Sequence, residues 1–365
     1  MGFIESEDRR LMEMEELKNR MLLACADLSR RKDQEDFQGS RLSSSDFDVD
    51  DHCGQKLVCV TSGVSFLGLA IVNRLLRRGY SVRIIVHTEE DMEKLRELED
   101  SGEMSRSNNS IKAVMAKLTE IESLLEAFEG CRGVFHTSAF TDPAGLSGYT
   151  KSMAEVEVKA GENVIMACSR TPSVRNCVLT SSLLACLWRD ASTQDLSPVI
   201  NHESWSDESL CIDKKLWYAL GKLRAEKAAW RIAKERGLKL VTICPGLITG
   251  PDFFRRNPTA TIAYLKGARE MFADGLLATV DVMKLAEAHA CLLEAMNKTA
   301  FGRYIYFDHV IDGEKEADKL AKKIGMPAEK ICGNESINFL ARFELSNKKL
   351  LNLMSRTLRS CYNER

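Results

Sequence analysis

The sequence predicts an α/β fold in which a doubly wound parallel sheet is followed by a smaller C-terminal lobe. Between residues 56 and 250, short β-branched runs alternate with longer helical patterns. This alternation indicates parallel crossover units, which build a doubly wound sheet. After Gly250 the pattern becomes less regular, and this change indicates the second lobe. Ligands of such sheets bind beyond the carboxyl ends of the strands.

The individual elements follow in order along the chain. The runs predicted as buried strands are LVCV, SVRIIV, IKAVMA, GVFH, NCVLT and LKLVTIC. The helical patterns between them are LGLAIVNRLLRRG, EEDMEKLRELED, IESLLEAF, residues 151–169 and WYALGKLRAEKAAWRIAKERG. Beyond Gly250 we expect helices near 261–271 and 282–296, then a strand GRYIYF and further helices.

The chain divides into three parts. Residues 1–54 combine a charged helix and a polar linker, residues 55–250 form the doubly wound domain, and residues 282–312 return to that domain. Residues 251–281 and 313–365 form the smaller lobe. The N-terminal helix carries an apolar stripe at steps of three and four residues, formed by Met14, Leu17, Met21, Ala24 and Leu28. This stripe either packs on the chain's own domain or binds a protein partner.

Composition excludes several classes of function. The formal net charge of −2 over 365 residues indicates neither nucleic acid nor an anionic membrane surface as a partner. The 12 cysteines form no C-x-x-C pair and no cluster with histidine, so no metal site is predicted. Scattered cysteines are typical of reduced thiols in a cytoplasmic protein. No apolar run approaches the roughly 18 residues of a membrane span.

The stretch VCVTSGVSFLG at residues 58–68 runs from a strand through a small-residue turn into a helix. Backbone N–H groups at such a helix start attract the phosphates of a dinucleotide. Gly68 serves close packing of helix on strand, and Gly63 adds flexibility. Ser62 and Ser65 stand where glycine is expected. A positive φ at either serine would cost about 1 kcal/mol, so we expect a working cradle with affinity reduced roughly tenfold.

Tyr218 and Lys222 lie four residues apart on a predicted helix, so both side chains emerge on one face. An ammonium close to a phenol favours the phenolate and lowers the tyrosine pKa below its usual value of about 10. Such a tyrosine exchanges a proton near neutral pH. Read alone, the pair is equally typical of a helix surface.

Ser181 and Ser182 end the run NCVLTSS and fall at the carboxyl edge of the sheet. A serine hydroxyl there can hydrogen-bond the carbonyl oxygen that a tyrosine protonates. The alternative is a serine that caps the next segment, LLACLW.

Together and in order, the turn, TSS, WYxxGK with AEKAAW, and CPGLITGP at 244–251 resemble the extended short-chain dehydrogenases/reductases. WSDESLC at 205–211 narrows the resemblance to the plant cinnamoyl-CoA reductase-like and dihydroflavonol reductase-like group. The resemblance covers about residues 56–310. It implies a Rossmann domain with a smaller C-terminal substrate lobe, and an NAD(P)-dependent oxidoreductase acting on CH–OH, carbonyl or thioester groups.

The resemblance also implies roles for individual residues. Tyr218 would donate a proton, Lys222 would lower its pKa and hold the nicotinamide ribose, and Ser182 would polarise the substrate carbonyl. The further cofactor-binding positions would be Gly63, Ser65, Phe66, Leu67, Gly68, His87, Lys94, Leu118, Pro245, Leu247 and Ile248.

Some residues depart from the family pattern, and these departures bear on which cofactor the protein binds. His87 stands where NADPH-using relatives place arginine, and Lys94 could reach the 2′-phosphate instead. His87 also differs from the Asp or Glu that marks NAD, so the sequence favours NADP(H) and leaves NAD(H) open. Lys117 stands where a family aspartate contacts the adenine.

The substrate-side residues are more apolar than in reductases of cinnamoyl-CoA. Leu216 and Leu220 interrupt the N-W-Y-C-Y-G-K pattern of those enzymes. Of the histidine, lysine and arginine that those enzymes place around the thioester, only the lysine remains, as Lys266, while Ala263 and Met283 stand at the other two positions. We therefore expect a phenylpropanoid-like or other small carbonyl compound as substrate. A second function stays open, namely a scaffold or binding protein with weakened cofactor affinity and a partner on its N-terminal helix.

Overall fold

The computed structural model describes residues 56–104, 111–137, 149–189, 197–333 and 342–363. Within these ranges, the strands in chain order are β1 (Leu57–Val60), β2 (Ser81–Val86), β3 (Ile111–Met115), β4 (Gly133–His136), β5 (Asn176–Thr180), β6 (Val199–Ile200), β7 (Lys239–Pro245), β8 (Leu247–Thr249), β9 (Ala278–Asp281), β10 (Gly302–Tyr306), β11 (His309–Val310) and β12 (Glu344–Leu345).

The helices within the same ranges are numbered likewise. They are α1 (Phe66–Arg77), α2 (Glu89–Asp100), α3 (Ile121–Phe128), α4 (Lys151–Arg170), α5 (Leu184–Leu187), α6 (Glu208–Asp213), α7 (Trp217–Arg236), α8 (Phe253–Arg256), α9 (Pro258–Tyr264), α10 (Ala268–Ala273), α11 (Val282–Ala295), α12 (Glu314–Ile324), α13 (Glu329–Cys332) and α14 (Lys348–Asn363).

In the described part of the chain, the central sheet has seven strands in the order β3-β2-β1-β4-β5-β7-β10. Every neighbouring pair in it is parallel. The order reverses direction between β1 and β4, which is the switch point where doubly wound sheets bind ligands. The predicted fold class and the strands predicted for this sheet are confirmed.

The region after Gly250 differs from the prediction of one helix over 261–271. The structure has two short helices there, α9 and α10, because Gly267 between them is left-handed at φ +90°. A Cβ on Gly267 would lie 2.6 Å from the Trp188 ring, so only glycine allows this approach. The sequence also did not predict the small sheets β11-β9-β8 and β12-β6, whose strands are two to four residues long.

Helices α4 and α7 pack closely on one face of the sheet. A Cβ on Gly161 of α4 would lie 3.6 Å from Ala225 Cβ of α7. A Cβ on Gly221 of α7 would lie 3.1 Å from the Ala154 Cα of α4. Small side chains at these crossings bring the two backbones together. Polar residues at the same interface are therefore buried.

A buried ion pair connects β10 with α7. Arg303 Nε lies 2.8 Å from the Glu226 carboxylate, and the two side chains are 8% and 0% exposed. Ser181 and Thr242 donate to the same carboxylate at 2.7 and 2.6 Å. The Arg303 guanidinium also stacks 3.4 Å from the centroid of the Trp205 ring. This network joins the last strand of the sheet to the loop that follows β5.

The N-terminal helix and its partner surface lie outside the described residues. The boundaries predicted between the doubly wound domain and the smaller lobe stay predictions. None of the helices in the described ranges has the length and apolar character needed to cross a membrane.

We expect Arg303→Met to lower the free energy of unfolding by about 3–5 kcal/mol, because it leaves the Glu226 charge buried without its partner. Urea unfolding measures the change. Arg231→Met is the control, because Arg231 pairs with Glu162 at an exposed site and its loss should cost at most about 1 kcal/mol. Equal losses in the two variants would contradict the structural role of the buried pair.

Candidate active site

The turn between β1 and α1 is built around Gly68. A Cβ on Gly68 would lie 1.9 Å from the Ser62 carbonyl oxygen, so any side chain there would displace the backbone. A Cβ on Gly63 would lie 2.5 Å from the Ile84 side chain on β2. Both glycines therefore serve close packing of turn, helix and strand. Neither has a left-handed φ.

Ser65 is the N-cap of α1 and has an extended backbone at φ −74°. Its Oγ accepts a hydrogen bond from Gly68 N at 3.1 Å and donates one to the Ser62 carbonyl at 2.7 Å. Among the described non-glycine residues, only Lys215 and Asp252 have a positive φ. The expectation of backbone strain at Ser62 or Ser65 is therefore wrong, because the turn holds both serines in ordinary conformations.

The start of α1 presents hydrogen-bond donors to a cleft at the switch point. The N–H groups of Phe66 and Leu67 have no acceptor within the helix, because they belong to its first turn. The buried Thr137 hydroxyl opens on the same cleft and has no hydrogen-bond partner among the described residues. Two backbone donors, one hydroxyl and the helix dipole fit the pyrophosphate of a dinucleotide.

The same cleft gathers most of the predicted site residues from separate elements. Its lining includes Ser65, Phe66, Leu67, Ser182, Tyr218, Lys222, Pro245, Leu247 and Ile248. The cleft is narrow, with a volume of about 60 Å³. Its donor set fits the pyrophosphate of a dinucleotide.

Ser182, Tyr218 and Lys222 all open on this cleft. Lys222 Nζ lies 5.5 Å from the centroid of the Tyr218 ring on the same helix face. Ser181 Oγ donates to Glu226, whereas Ser182 Oγ accepts from Leu184 N at 3.2 Å. The Ser182 hydroxyl can still donate its proton to a ligand. Of the two serines, Ser182 is thus the better placed to contact a substrate carbonyl.

Glu157 on α4 is a member of this cleft that sequence reasoning missed. Its carboxylate lies 2.6 Å from Lys222 Nζ, and the two side chains are 3% and 5% exposed. The Tyr149 phenol donates to Glu157, and the Tyr149 ring packs edge-on against Tyr218 with centroids 5.1 Å apart. The sequence contained a signal that Glu157 is buried, because Glu157 falls in helical register with the small residues Ala154, Ala160 and Gly161.

The pKa of Tyr218 is raised, contrary to the expectation from its spacing to Lys222. Burial raises this pKa most, the Lys222 ammonium lowers it, and the Glu157 carboxylate raises it further. Burial acts to lower the pKa of Lys222, but Glu157 and Tyr218 outweigh burial and raise it. The sequence revealed the lysine but not the carboxylate that opposes its effect.

The residues expected at the adenine end lie outside the lining of this cleft, after β2, on α2 and after β3. His87 follows β2, and its ring Nδ1 lies 3.0 Å from the Ala116 carbonyl. Lys94 is exposed on α2. The buried Leu118 follows β3, and its carbonyl accepts from Asn163 at 3.1 Å. The exposed Lys117 pairs with Glu120 at 3.0 Å.

A second cavity of about 520 Å³ lies next to this cleft, and Tyr218 lines both spaces. Tyr149 lines the second cavity. Its walls are mainly apolar and include Leu216, Trp217, Ile262, Ala263 and Leu265. Lys266, Arg269 and Lys330 contribute positive charge to the lining, and Glu270 contributes a negative charge. The volume is that of an ordinary small-molecule site. Met283, expected near the substrate, does not line this cavity.

The strand order, the glycine-containing turn and the hydroxyl and ammonium groups of the cleft define a short-chain dehydrogenase/reductase of the extended type. The chain belongs to the 3-beta hydroxysteroid dehydrogenase/isomerase family, whose family model matches residues 59–295. The resemblance inferred from the sequence is thereby confirmed. Members of such a family are NAD(P)-dependent oxidoreductases, and this chain is an enzyme of that class.

Several curated relatives are reductases. Cinnamoyl-CoA reductase 1 of Petunia hybrida is 35% identical over 306 residues, which are 82% of this chain and 86% of the relative. Cinnamoyl-CoA reductase 1 of Arabidopsis thaliana is 33% identical over 308 residues, 82% of this chain and 84% of the relative. Tetraketide alpha-pyrone reductase 1 of Arabidopsis thaliana is 32% identical over 265 residues, 71% of this chain and 78% of the relative.

Solved structures share the fold. Vestitone reductase from alfalfa (Medicago sativa L.) has a TM-score of 0.58 and 23% identity, covering 84% of this chain and 98% of that protein. The yeast methylglyoxal/isovaleraldehyde reductase, complexed with NADPH, has a TM-score of 0.61 and 20% identity, covering 82% of this chain and 93% of that protein. At these identities the similarity shows the fold alone. The family match supports a nicotinamide cofactor for this chain.

We expect Ser65→Ala to lower the free energy of unfolding by about 1 kcal/mol and Ser65→Gly by only a few tenths, because glycine is tolerated at an N-cap. Chemical denaturation measures both. Neither change should tighten NADPH binding, because no strain is present to be relieved and the Phe66 and Leu67 N–H groups are unchanged. A tenfold gain in affinity for Ser65→Gly, read by nicotinamide fluorescence, would contradict this account of the turn.

Proposed function

We propose that the protein is an NADP(H)-dependent carbonyl reductase whose substrate is a phenylpropanoid-like or other small carbonyl compound. The observation that carries the proposal is the single cleft on which Ser182, Tyr218 and Lys222 open, next to the donors at the start of α1. The reductase relatives at 30–35% identity support the reaction class. The alternative of a scaffold protein is kept as an outcome of the binding experiment below.

In this proposal the chain binds the cofactor through its own donors and walls. The Phe66 and Leu67 N–H groups hold the pyrophosphate, and Thr137 adds a hydroxyl. Pro245, Leu247 and Ile248 pack beside the nicotinamide and exclude water. The dihydronicotinamide, when bound, supplies a hydride.

The catalytic groups act on the carbonyl oxygen of the substrate. The Ser182 hydroxyl donates a hydrogen bond to this oxygen and stabilises the negative charge that develops there. The Tyr218 hydroxyl gives its proton to the same oxygen. Lys222 stabilises the resulting phenolate and offers further N–H donors to a ribose hydroxyl.

The substrate would occupy the 520 Å³ cavity beside Tyr218. Leu216, Trp217 and Ile262 suit an aromatic or aliphatic body. The Lys266 ammonium donates to the Lys215 carbonyl, so part of its hydrogen-bonding capacity is used within the protein. A first panel of substrates to test contains cinnamaldehyde, isovaleraldehyde and a hydroxycinnamoyl-CoA thioester, because each offers a carbonyl group on an aromatic or aliphatic body.

The preference for NADP(H) would rest on the adenine end. Lys94 supplies an ammonium on α2, while Glu89, Glu90 and Asp91 in the first turn of that helix supply negative charge. Asp91 accepts from His87 N at 2.9 Å, so its carboxylate is already engaged. The 2′-phosphate would depend on Lys94 for compensating charge.

We expect NADPH to bind more tightly than NADH, and Lys94→Met to remove this preference while leaving NADH binding unchanged. The charge-assisted contact to the 2′-phosphate is the only interaction that this change should remove. Nicotinamide fluorescence titration measures all four affinities. If neither nucleotide binds at millimolar concentration, the scaffold function replaces the reductase.

We expect Tyr218→Phe to abolish turnover of any substrate found for the wild type, while NADPH binding and thermal stability stay close to wild type. Only one hydroxyl is lost, and that hydroxyl is the proposed proton donor. Lys222→Ala should differ, because it weakens NADPH binding as well as turnover. Steady-state kinetics and fluorescence titration separate the two variants. Substantial activity in Tyr218→Phe would remove Tyr218 from the mechanism.

A further inference from the structure

The buried Glu157–Lys222 pair is not explained by the packing of α4 on α7 alone. Small side chains already close this interface on both sides of Glu157, at Ala154 opposite Gly221 and at Gly161 opposite Ala225. A buried carboxylate is costly unless it is paired and hydrogen-bonded. Glu157 meets this demand with the Lys222 ammonium and the Tyr149 phenol, and it opens on the catalytic cleft.

The charge of Glu157 acts on the same lysine that is meant to promote ionisation of Tyr218. A lone Lys222 ammonium would favour the phenolate, whereas an ion-paired ammonium has its charge partly neutralised. The nearby carboxylate also disfavours a second negative charge directly. The net effect of adding Glu157 is to keep the phenol protonated.

The titratable groups around this centre come from several elements. They are Tyr218 and Lys222 on α7, Glu157 on α4, Tyr149 before α4, His136 at the end of β4 with His87 beyond it, and Tyr264 at the end of α9. Burial, assisted by Lys222, lowers the pKa of His136 to about 3, so His136 stays neutral above that pH. Burial raises the pKa of Tyr149 and of Tyr264 far enough that both remain phenols.

We propose that Glu157 is a positioning residue that holds Tyr218 in its protonated form and so specialises the site for carbonyl reduction over alcohol oxidation. The proposal rests on the proposed function of the cleft. In reduction, the O–H bond of Tyr218 breaks, its proton goes to the substrate oxygen, and a phenolate remains. In oxidation, the phenolate takes the proton of the substrate alcohol. Glu157 favours the form that reduction needs.

The test replaces the carboxylate with an uncharged amide of the same shape. Glu157→Gln removes a negative charge, so the pKa of Tyr218 falls as long as Lys222 keeps its proton. The high-pH decline of reduction and the low-pH rise of oxidation should then both move to lower pH, by roughly one pH unit or more. The readout is kcat/KM against pH in both directions, with NADPH and with NADP⁺, on the best carbonyl substrate and its alcohol. Glu157→Asp, which keeps the charge, should restore profiles close to wild type.

Glu162→Gln is the matched control. It makes the same substitution on the same helix, at an exposed pair with Arg231, and should leave the profiles unchanged. If Glu157 served only to hold Lys222 in place, Glu157→Gln would let the lysine move away from Tyr218. The high-pH decline of reduction and the low-pH rise of oxidation would then stay in place or move to higher pH, and KM for NADPH would rise. That outcome overturns the proposal.

A second measurement, an NMR titration, uses the wild-type protein and so does not depend on whether a Glu157 variant folds. The ¹³Cζ resonance of Tyr218, assigned by its disappearance in Tyr218→Phe, is titrated in the wild-type protein. The proposal expects the phenol form to persist above the usual tyrosine pKa of about 10. A phenolate that forms at or below the usual pKa of about 10 would overturn the proposal. This titration reads the phenol itself, so it gives an answer even if no substrate is turned over, and failure of the proposed function remains distinguishable.

Discussion

The buried pair of Arg303 and Glu226 is the interaction on which the geometry of the cleft depends. It ties β10, at one edge of the sheet, to α7, which carries Tyr218 and Lys222. Ser181 donates to the same carboxylate, so the loop after β5 is held against α7 as well. Because a buried charge requires all of its donors, these segments cannot separate without a large cost. Ser182 and Tyr218, which come from distant parts of the chain, are thereby kept on one cleft.

A second buried pair on α7 has a different role. Glu226 bonds only groups of the protein interior in this network, whereas Glu157 and Lys222 lie at the wall of the cleft. The close approach of α4 and α7, made possible by glycine and alanine at their crossing, brings that carboxylate to the lysine. The first pair therefore fixes the framework, and in our proposal the second sets the charge of the reacting groups.

The turn between β1 and α1 does not need glycine at every position where the family motif has it. The family pattern has glycine at these positions, but the backbone here adopts no left-handed conformation at Ser62 or Ser65. Ser65 caps α1 through a hydroxyl hydrogen bond to Gly68 N, although glycine is also tolerated at an N-cap. The position that tolerates no side chain is Gly68, where the Ser62 carbonyl leaves no space.

The parallel sheet could be predicted from the sequence, because buried β-branched runs and helical patterns are local signals that repeat in a regular order. The sequence also determined that Tyr218 and Lys222 share a helix face, since a spacing of four residues is enough. It did not reveal the break at Gly267, which depends on the distant Trp188 ring. Nor did it reveal Glu157 or the raised pKa of Tyr218, because both follow from the packing of α4 against α7. The direction of a pKa shift depends on every charge near the group, and only the tertiary structure decides which charges are near.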